Sequence, residues 1–250
     1  MLKRLLDIFV ALCGLVVSAP VLLPVMFLVW RQDGHSPFYV PPRVGKDDID
    51  FRMVKMRSMV VNADRSGVDS TGANDMRITA VGHFIRRYKL DELTQLWNVL
   101  RGDMSLVGPR PNVRRETDLY TPVEKRLLSV RPGITDFSSV IFSDEGEILA
   151  GHADPDIAYN QLIRPWKSRL GLFYIDHAGV DLDLRLIWLT ALAIASRPRA
   201  LEGVARQLER LGAPPDLIAI ARRADPLSPM PPPGATEIVR SPDPVMAGQA

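Results

Sequence analysis

Cysteine is nearly absent from this chain of 250 residues, which contains only Cys13. A single thiol cannot form an internal disulfide bond, so a secreted scaffold held by disulfides and a cysteine-ligated metal site are both excluded. The four histidines occur without HxxxH or HExxH spacing, and this scatter gives no indication of a histidine metal site. A working face in the cytosol fits this composition better.

Charge of one sign is not in excess either. The 31 basic residues (Lys and Arg) and 29 acidic residues leave a formal net charge of +2, so no global field favours binding to nucleic acid. No internal repeat occurs at a solenoid period. With 46% hydrophobic residues, the chain is long enough for one substantial core, or for one domain with an anchor and a tail.

A long apolar run does occur, from Ile8 to Trp30, and it carries no charged residue. Its length passes the test of roughly 20 residues for a single membrane-spanning helix. Lys3 and Arg4 before the run also fit a cleaved signal peptide, although Pro20 directly follows the small residues of the candidate cleavage site. A third interpretation is a break at Pro20, aided by Pro24, which divides the run into two limbs of roughly 18 Å. The residues alone leave all three open.

Two cations stand close together in a stretch that is otherwise rich in turns. Residues 34–77 read as loops with brief strands, with Gly67 and Gly72 among the turn residues. Residues 51–59 alternate as a strand does and place Lys55 and Arg57 on one face. Such a pair suits a phosphate, but a solvated strand face explains it equally simply.

An acidic pair follows a second group of cations. Apolar residues at helical spacing from Leu90 to Leu100, including Trp97, predict a short amphipathic helix ended by Gly102. Asp91 and Glu92 then occupy its first turn, where the helix dipole favours carboxylates, so the pair alone indicates no function. The other charged residues gathered before this helix are Asp75, Arg77, Arg86 and Arg87.

Arg110 stands between Pro109 and Pro111, which restrict the backbone on both sides of its guanidinium. A rigidly placed guanidinium can bind phosphate through two hydrogen bonds, so this position suits a diphosphate ligand.

The rest of the chain predicts helices and a polar tail. A turn is predicted at Pro132-Gly133, and the composition from Asp225 onward is rich in proline with little to bury, which predicts disorder. Further helices are predicted at residues 123–128, 154–163 and 182–195, with one or two more within 200–223.

Several motifs then occur together in one order and spacing. They are KRLLD at residue 3, RVG at 43, KMRSM at 55, NDMRIT at 74, LDEL at 90, QLWNVLRGDMSLVGPRP at 95 and PGIT at 132. In this arrangement the chain, from about residue 3 to about residue 190, resembles the bacterial sugar transferases known as small monotopic phosphoglycosyl transferases. A block of more than twenty residues is far more specific than a single short motif.

This resemblance implies transfer of a sugar 1-phosphate from a UDP-sugar to polyprenyl (undecaprenyl) phosphate with release of UMP, the first membrane step of exopolysaccharide, O-antigen or glycoconjugate synthesis. It implies that Asp91 is the nucleophile that forms a covalent phosphosugar intermediate. It also implies Mg²⁺ as cofactor, with Asp91 and Glu92 as its ligands, and gives Glu92 a catalytic role either through the metal or as a proton-handling partner. The cations assigned to the diphosphate or the lipid phosphate are Lys55, Arg57, Arg77, Arg86, Arg87 and Arg110.

The resemblance also implies a fold and a location. The expected α+β fold is a mostly helical, loop-rich catalytic domain with short strands, attached to a re-entrant helix-break-helix hairpin. The expected parts are the hairpin (1–32), the catalytic domain (33–196) and a C-terminal extension (197–250), partly helical and then disordered. The expected location is the cytoplasmic face of the bacterial inner membrane, in contact with membrane lipid, because a spanning helix with Lys3 and Arg4 inside carries the catalytic body away from nucleotide sugars.

Some positions depart from the family pattern. Thr94 replaces a usual proline, Lys89 a common serine or threonine, and Pro41 a common glutamine. Asp136 replaces a usual glycine after PGIT, and Ser138-Ser139 occupies a stretch that often contains glutamine, so the identity of the sugar stays open, as does the oligomeric state. The alternatives to an active transferase are a non-catalytic membrane-anchored scaffold of a glycan assembly complex and a soluble nucleotide-sugar hydrolase.

Overall fold

The structure, a computed structural model, describes residues 2–63 and 75–240. It is mostly helical with a few short strands, as the sequence predicts, while the predicted turn residues Gly67 and Gly72 and the last ten residues of the predicted disordered tail lie outside the described residues. The helices are α1 (Leu2–Asp33), α2 (Ala80–Arg87), α3 (Leu90–Leu93), α4 (Leu96–Arg101), α5 (Arg114–Asp118), α6 (Phe137–Ile141), α7 (Glu145–Leu149), α8 (Pro155–Ala158), α9 (Arg164–His177), α10 (Val180–Ala195), α11 (Arg197–Arg210) and α12 (Pro215–Arg222). The strands are β1 (Phe38–Tyr39), β2 (Pro42–Val44), β3 (Asp50–Arg52), β4 (Lys55–Met56), β5 (Ser105–Val107) and β6 (Gly133–Thr135).

The apolar run forms α1, one helix of 32 residues that contains both Pro20 and Pro24. The break predicted at Pro20 does not interrupt this helix, because a proline removes one backbone hydrogen bond and bends a helix whose other bonds persist. Of the described helices, α1 has the length and composition to cross a membrane. Membrane attachment and a re-entrant course stay predictions.

One face of α1 packs on the body along most of the helix. Its buried residues are Asp7, Ala11, Leu22, Val25 and Val29, whose spacing places them on one side. The other side exposes a row of large apolar side chains. These are Leu2, Leu5, Ile8, Phe9, Leu12, Val16, Val17, Val21, Leu23, Phe27, Leu28 and Trp30.

Polar contacts hold the first turns of α1. The carboxylate of Asp7 is buried and accepts hydrogen bonds from the Ser105 hydroxyl (2.9 Å) and the Leu106 backbone N–H (3.1 Å) of β5. The guanidinium of Arg4 donates to the backbone carbonyls of Val99 and Leu100 at the end of α4.

The last turn of α1 is held as well. Asp33 forms a two-pronged ion pair with Arg57, with N–O distances of 2.6 and 2.7 Å. Both ends of α1 therefore contact the same body.

The strands pair in three two-stranded units. The pairs β1–β4 and β2–β3 are antiparallel, and β5 pairs with β6 in parallel. At the end of the parallel pair the backbones of Gly108 and Gly133 approach so closely that a Cβ on Gly133 would lie 2.1 Å from the Gly108 nitrogen. The GPRP and PGIT motifs meet here because only glycine permits this approach.

The main core lies between α6, α9, α10, α11 and α12, and residues beyond 197 contribute to it. Ala200, Leu201, Val204 and Leu208 of α11 are buried in the same cluster as residues of β5 and α6. Residues 224–240 form an extended segment, along which Met230 N–H donates to the Gln161 carbonyl. The division of the chain into 1–32, 33–196 and 197–250 stays a prediction, as does disorder of the tail.

Candidate active site

The acidic pair lies on a helical segment that differs in detail from the predicted one. The single helix expected from Leu90 to Leu100 is divided into α3 and α4, because Thr94 and Gln95 form tighter turns with bonds between residues three apart. Gly102 ends α4 with φ 94°, as predicted. Trp97, one of the apolar residues at helical spacing in the sequence, is exposed, and Leu96 and Val99 form the face that packs toward α1.

Asp91 is the half-buried carboxylate at the centre of the site. Its Oδ2 lies 3.5 Å from the Nζ of Lys55 on β4. Thr94, where the resemblance expects proline, supports this approach, because its hydroxyl shares its one proton between the carbonyls of Asp91 (2.9 Å) and Val54 (3.1 Å). The hydroxyl therefore ties the acidic turn to the strand that carries Lys55.

Glu92 forms an ion pair with Arg110, with 2.8 Å between Oε1 and Nη2. Burial opposes ionisation of Glu92, but the positive charges of Arg110 and Lys55 outweigh it and lower its pKa to about 2. Arg110 also donates to the carbonyl of Ile134 on β6 (3.1 Å), so its guanidinium is held from both sides.

A cavity of about 590 Å³ opens in front of these residues. It is lined by both carboxylates and by four of the six cations predicted to bind phosphate, namely Lys55, Arg86, Arg87 and Arg110. Asp91, Lys55 and Arg86 also line a second cavity of about 730 Å³, which reaches His35 and Phe38 just beyond the end of α1. Asp91 thus faces two spaces.

The other two predicted phosphate-binding residues, Arg57 and Arg77, line the second cavity but not the first. Arg57 is buried, and besides Asp33 its guanidinium donates to the backbone carbonyl of Ser36 (2.9 Å), so the structure gives it a role in holding α1. Arg77 is paired with Asp75 at 2.6 Å and lines only the second cavity.

Sequence reasoning missed several polar residues of the first cavity. Lys167 on α9 forms an ion pair with Glu145 at the start of α7 and lies 5.0 Å from the Tyr159 ring centroid. Lys89, which precedes the acidic pair with φ 55°, and Arg43 of the RVG motif also line it. Of these residues only Arg43 and Lys89 carried a sequence signal, because they lie within or beside a recognised motif.

The departures after PGIT have a structural explanation. Asp136 caps α6, accepting hydrogen bonds from the Ser139 backbone N–H (2.7 Å) and from the hydroxyls of Ser138 and Ser139. Both serines line the first cavity, so the hydrogen bonds to Asp136 fix the position of this part of the cavity wall.

The donor set for a metal is small. Among residues 2–63 and 75–240, no cluster of three His, Cys, Asp or Glu side chains is placed to hold an ion. Asp91 and Glu92 are adjacent carboxylates on the cavity, and Mg²⁺ is often bound by one or two carboxylates together with substrate phosphates. The pair therefore fits Mg²⁺ only with a phosphate ligand present.

Comparison with known proteins places these features in a family. Residues 1–197 match the sequence model of the family described as bacterial sugar transferase. The chain is 38% identical over 196 residues to the UDP-N-acetylgalactosamine-undecaprenyl-phosphate N-acetylgalactosaminephosphotransferase of Aeromonas hydrophila, covering 77% of this chain and 43% of that protein. It is 40% identical over 214 residues to the undecaprenyl-phosphate galactose phosphotransferase of Salmonella typhimurium, covering 80% and 41%.

A shorter relative matches over a smaller part of the chain. The putative undecaprenyl-phosphate N-acetylgalactosaminyl 1-phosphate transferase of Bacillus subtilis is 43% identical over 110 residues, covering 44% of this chain and 62% of that protein. The chain thus spans between 31% and 62% of the length of the first three relatives.

The Glu92–Arg110 pair makes the free energy of unfolding depend on pH. Because the pKa of Glu92 falls from 4.5 to about 2 on folding, its ionised form stabilises the fold fully above the higher value, and this contribution is lost as the pH falls toward the lower one. Between about pH 7 and about pH 3, the midpoint of thermal unfolding should therefore fall more steeply in the wild type than in Glu92→Gln. The exposed Glu147→Gln serves as control, and a difference between wild type and Glu92→Gln that is constant with pH would contradict the pairing.

Proposed function

The chain belongs to the bacterial sugar transferase family, and we propose on this premise that it transfers a sugar 1-phosphate from a UDP-sugar to polyprenyl phosphate and releases UMP. The relatives' names describe undecaprenyl-phosphate sugar phosphotransferases, including galactose and N-acetylgalactosamine enzymes. Others are named as exopolysaccharide production proteins, which supports a role in the first membrane step of exopolysaccharide or related glycan synthesis.

One observation carries the proposal: Asp91, with Lys55 beside it, lines two cavities. A transfer between a water-soluble donor and a lipid acceptor needs a group that both substrates reach in turn. A covalent intermediate divides the transfer into two displacements, so the two substrates need never be bound together.

In the first displacement, a carboxylate oxygen of Asp91 attacks the phosphorus nearer the sugar. An O–P bond to Asp91 forms while the bond between this phosphorus and the bridging oxygen breaks, and UMP leaves with the electron pair. Lys55 lies beside the carboxylate, and Arg86, Arg87 and Arg110 supply positive charge on the same cavity.

In the second displacement, an oxygen of the polyprenyl phosphate attacks the phosphorus held by Asp91. The Asp91–phosphate bond breaks, the carboxylate is restored, and a polyprenyl diphosphate sugar leaves. The second cavity, which runs from Asp91 to His35 and Phe38 at the end of α1, suits the lipid phosphate because it begins where the apolar helix ends.

Magnesium is proposed as the cofactor, held by Asp91 and Glu92 together with the diphosphate. Seven Lys and Arg side chains and six carboxylates line the first cavity among the described residues, which leaves a net charge of only one. This excess does not balance a diphosphate, so when bound the ion supplies the missing positive charge and stabilises the leaving group. Glu92 keeps Arg110 oriented toward the cavity in either case.

The proposed location is the cytoplasmic face of the inner membrane, with α1 entering and leaving on the same side. The support is geometric. Asp7 near one end of α1 and Asp33 at the other both bind the same body, and the opposite side of the helix is apolar and exposed. A straight crossing would place one of these two buried contacts on the far side of a hydrocarbon layer about 30 Å thick, away from the body.

Replacement of the nucleophile tests the chemistry. Asp91→Asn should lower product formation by about a thousandfold or more, because the amide cannot form the phosphosugar intermediate. Incubation of the wild type with a UDP-sugar and without lipid should give a mass increase on the peptide that contains Asp91. The isosteric Asp103→Asn is a control outside the cavity, and normal turnover of Asp91→Asn would instead favour a non-catalytic scaffold or another nucleophile.

Removal of the metal tests the cofactor. Excess EDTA should stop UMP release, and added Mg²⁺ should restore it. Glu92→Gln should raise the Mg²⁺ concentration for half-maximal rate by about tenfold or more, because one of two carboxylate ligands is lost. Full activity in EDTA would reject the proposed cofactor.

Thiol labelling tests the course of α1. In a Cys13→Ser background, cysteines at Leu2 and Gln32 should react from the same side of intact inner-membrane vesicles, since both positions flank one helix whose ends share a body. His152→Cys on the exposed surface of the body reports the cytoplasmic side. Labelling of the two helix ends from opposite sides would establish a spanning helix.

A further inference from the structure

The segment from Phe142 to Glu147 forms one wall of the first cavity. It follows α6 and runs into α7, and two of its residues, Asp144 and Glu145, are ionised partners of basic side chains. Lys167 holds Glu145 from the side of α9. The position of Asp144 depends on a different set of contacts.

Two arginines hold Asp144 from behind the wall. Arg197 forms an ion pair with Asp144, with 2.8 Å between Nη2 and Oδ2, and its Nε donates to the Ser143 hydroxyl at 3.1 Å. Arg223 approaches the same Oδ2 at 3.4 Å, and its guanidinium carbon lies 5.4 Å from the ring centroid of Phe142. Charge-assisted contacts of this kind fix both position and orientation.

Arg223 comes from a part of the chain that the family model does not match, since the match ends at residue 197. It follows the last turn of α12 in the left-handed conformation, with φ 50°. The helix is held in place because α12 packs on α11, α9 and α6. The extension thus reaches the active-site wall from the rear.

Two atoms of this ion pair lack a hydrogen-bond partner within the described residues. Oδ1 of Asp144 and Nη1 of Arg223 are both buried. A buried polar group without a partner is costly, so a pair that served only to stabilise the fold would have both satisfied. The pair is therefore kept at a cost in stability.

We propose that Arg223 is a positioning residue for the donor: by holding Asp144, it shapes the wall that contacts the hydroxyl-bearing part of the nucleotide sugar. The inference rests on the proposed function. Phosphates are drawn to Lys55, Arg86 and Arg110, whereas a carboxylate repels them and accepts hydrogen bonds from hydroxyls. The acidic segment therefore faces the sugar or the ribose, and the C-terminal extension forms part of the donor site.

Substitution of Arg223 in the full-length enzyme tests the proposal. At saturating undecaprenyl phosphate, Arg223→Gln should raise the KM for the UDP-sugar by about five- to tenfold, the range of one lost charge-assisted contact. The KM for the lipid should stay unchanged, and Arg223→Lys should recover most of the donor KM. The matched control is Arg222→Gln, whose parent side chain pairs with Glu202 and Glu209 away from the cavity.

The measurements distinguish the two hydroxyl sources. If the wall contacts the ribose, UMP should inhibit Arg223→Gln more weakly than the wild type, by the same factor as the rise in the donor KM. If the wall contacts the transferred sugar, UMP should inhibit both enzymes equally. If Arg223→Gln lowers the unfolding midpoint but keeps the wild-type KM for the UDP-sugar, the proposal is overturned, and Arg223 only stabilises the fold. Equal KM changes in Arg223→Gln and Arg222→Gln would overturn it as well.

Asp144→Asn provides a second variant in case Arg223→Gln does not fold. It keeps the side-chain volume and should also raise the donor KM, and an unchanged KM would reject the role of the wall. Donor binding can also be measured without turnover, as the rise in unfolding midpoint that the UDP-sugar causes. This rise is compared between the single variant Asp91→Asn and the double variant Asp91→Asn/Asp144→Asn. If the wild type releases no UMP from any UDP-sugar, the proposed function fails, while this binding comparison still decides the present inference.

Discussion

The parallel pair β5–β6, with the backbones of Gly108 and Gly133 in contact at its end, is the unit on which the rest of the structure depends. On one side, β5 offers the hydroxyl of Ser105 and a backbone N–H to the buried carboxylate of α1. On the other strand, the carbonyl of Ile134 in β6 accepts a hydrogen bond from Arg110, which is paired with Glu92. The apolar helix and Glu92 are thus attached to the two strands of one short ladder. A side chain at either glycine would separate the strands and move both attachments together.

Electrostatic pairing explains how so many charged side chains line the first cavity. Lys55 lies beside Asp91 and Arg110 beside Glu92, so each carboxylate has a cation that can turn toward an incoming phosphate. Two unit charges about 4 Å apart interact by roughly 4 kcal/mol at an effective dielectric constant of 20, which is enough to order both side chains. In the proposed reaction, substrate binding exchanges one set of ion pairs for another, so little charge has to be desolvated without compensation.

The sequence was informative where function depends on local motifs. Asp91, Glu92 and Arg110 are predicted together because their block is specific, and the structure brings all three to one cavity. Arg57 could not be assigned in the same way, since its partner Asp33 lies 24 residues away and the ion pair depends on how α1 packs. The contact of Arg223 with Asp144 spans 79 residues and no motif marks it. Pairings of this range follow from tertiary packing, which neither periodicity nor propensity encodes.

The two anchored ends of α1 bear on how the body is oriented at a membrane. A peripheral protein held by headgroup charge alone can tilt, and its binding weakens as salt rises. Here the chain has a net charge of only +2, and its orientation relative to α1 is set by buried contacts such as those of Asp7 with β5. In the proposed topology the exposed apolar side of α1 lies in lipid, so the body beneath its other side is held at a fixed depth. The second cavity then opens at a constant distance from the bilayer, which lets a lipid phosphate reach Asp91 without a large movement of the protein.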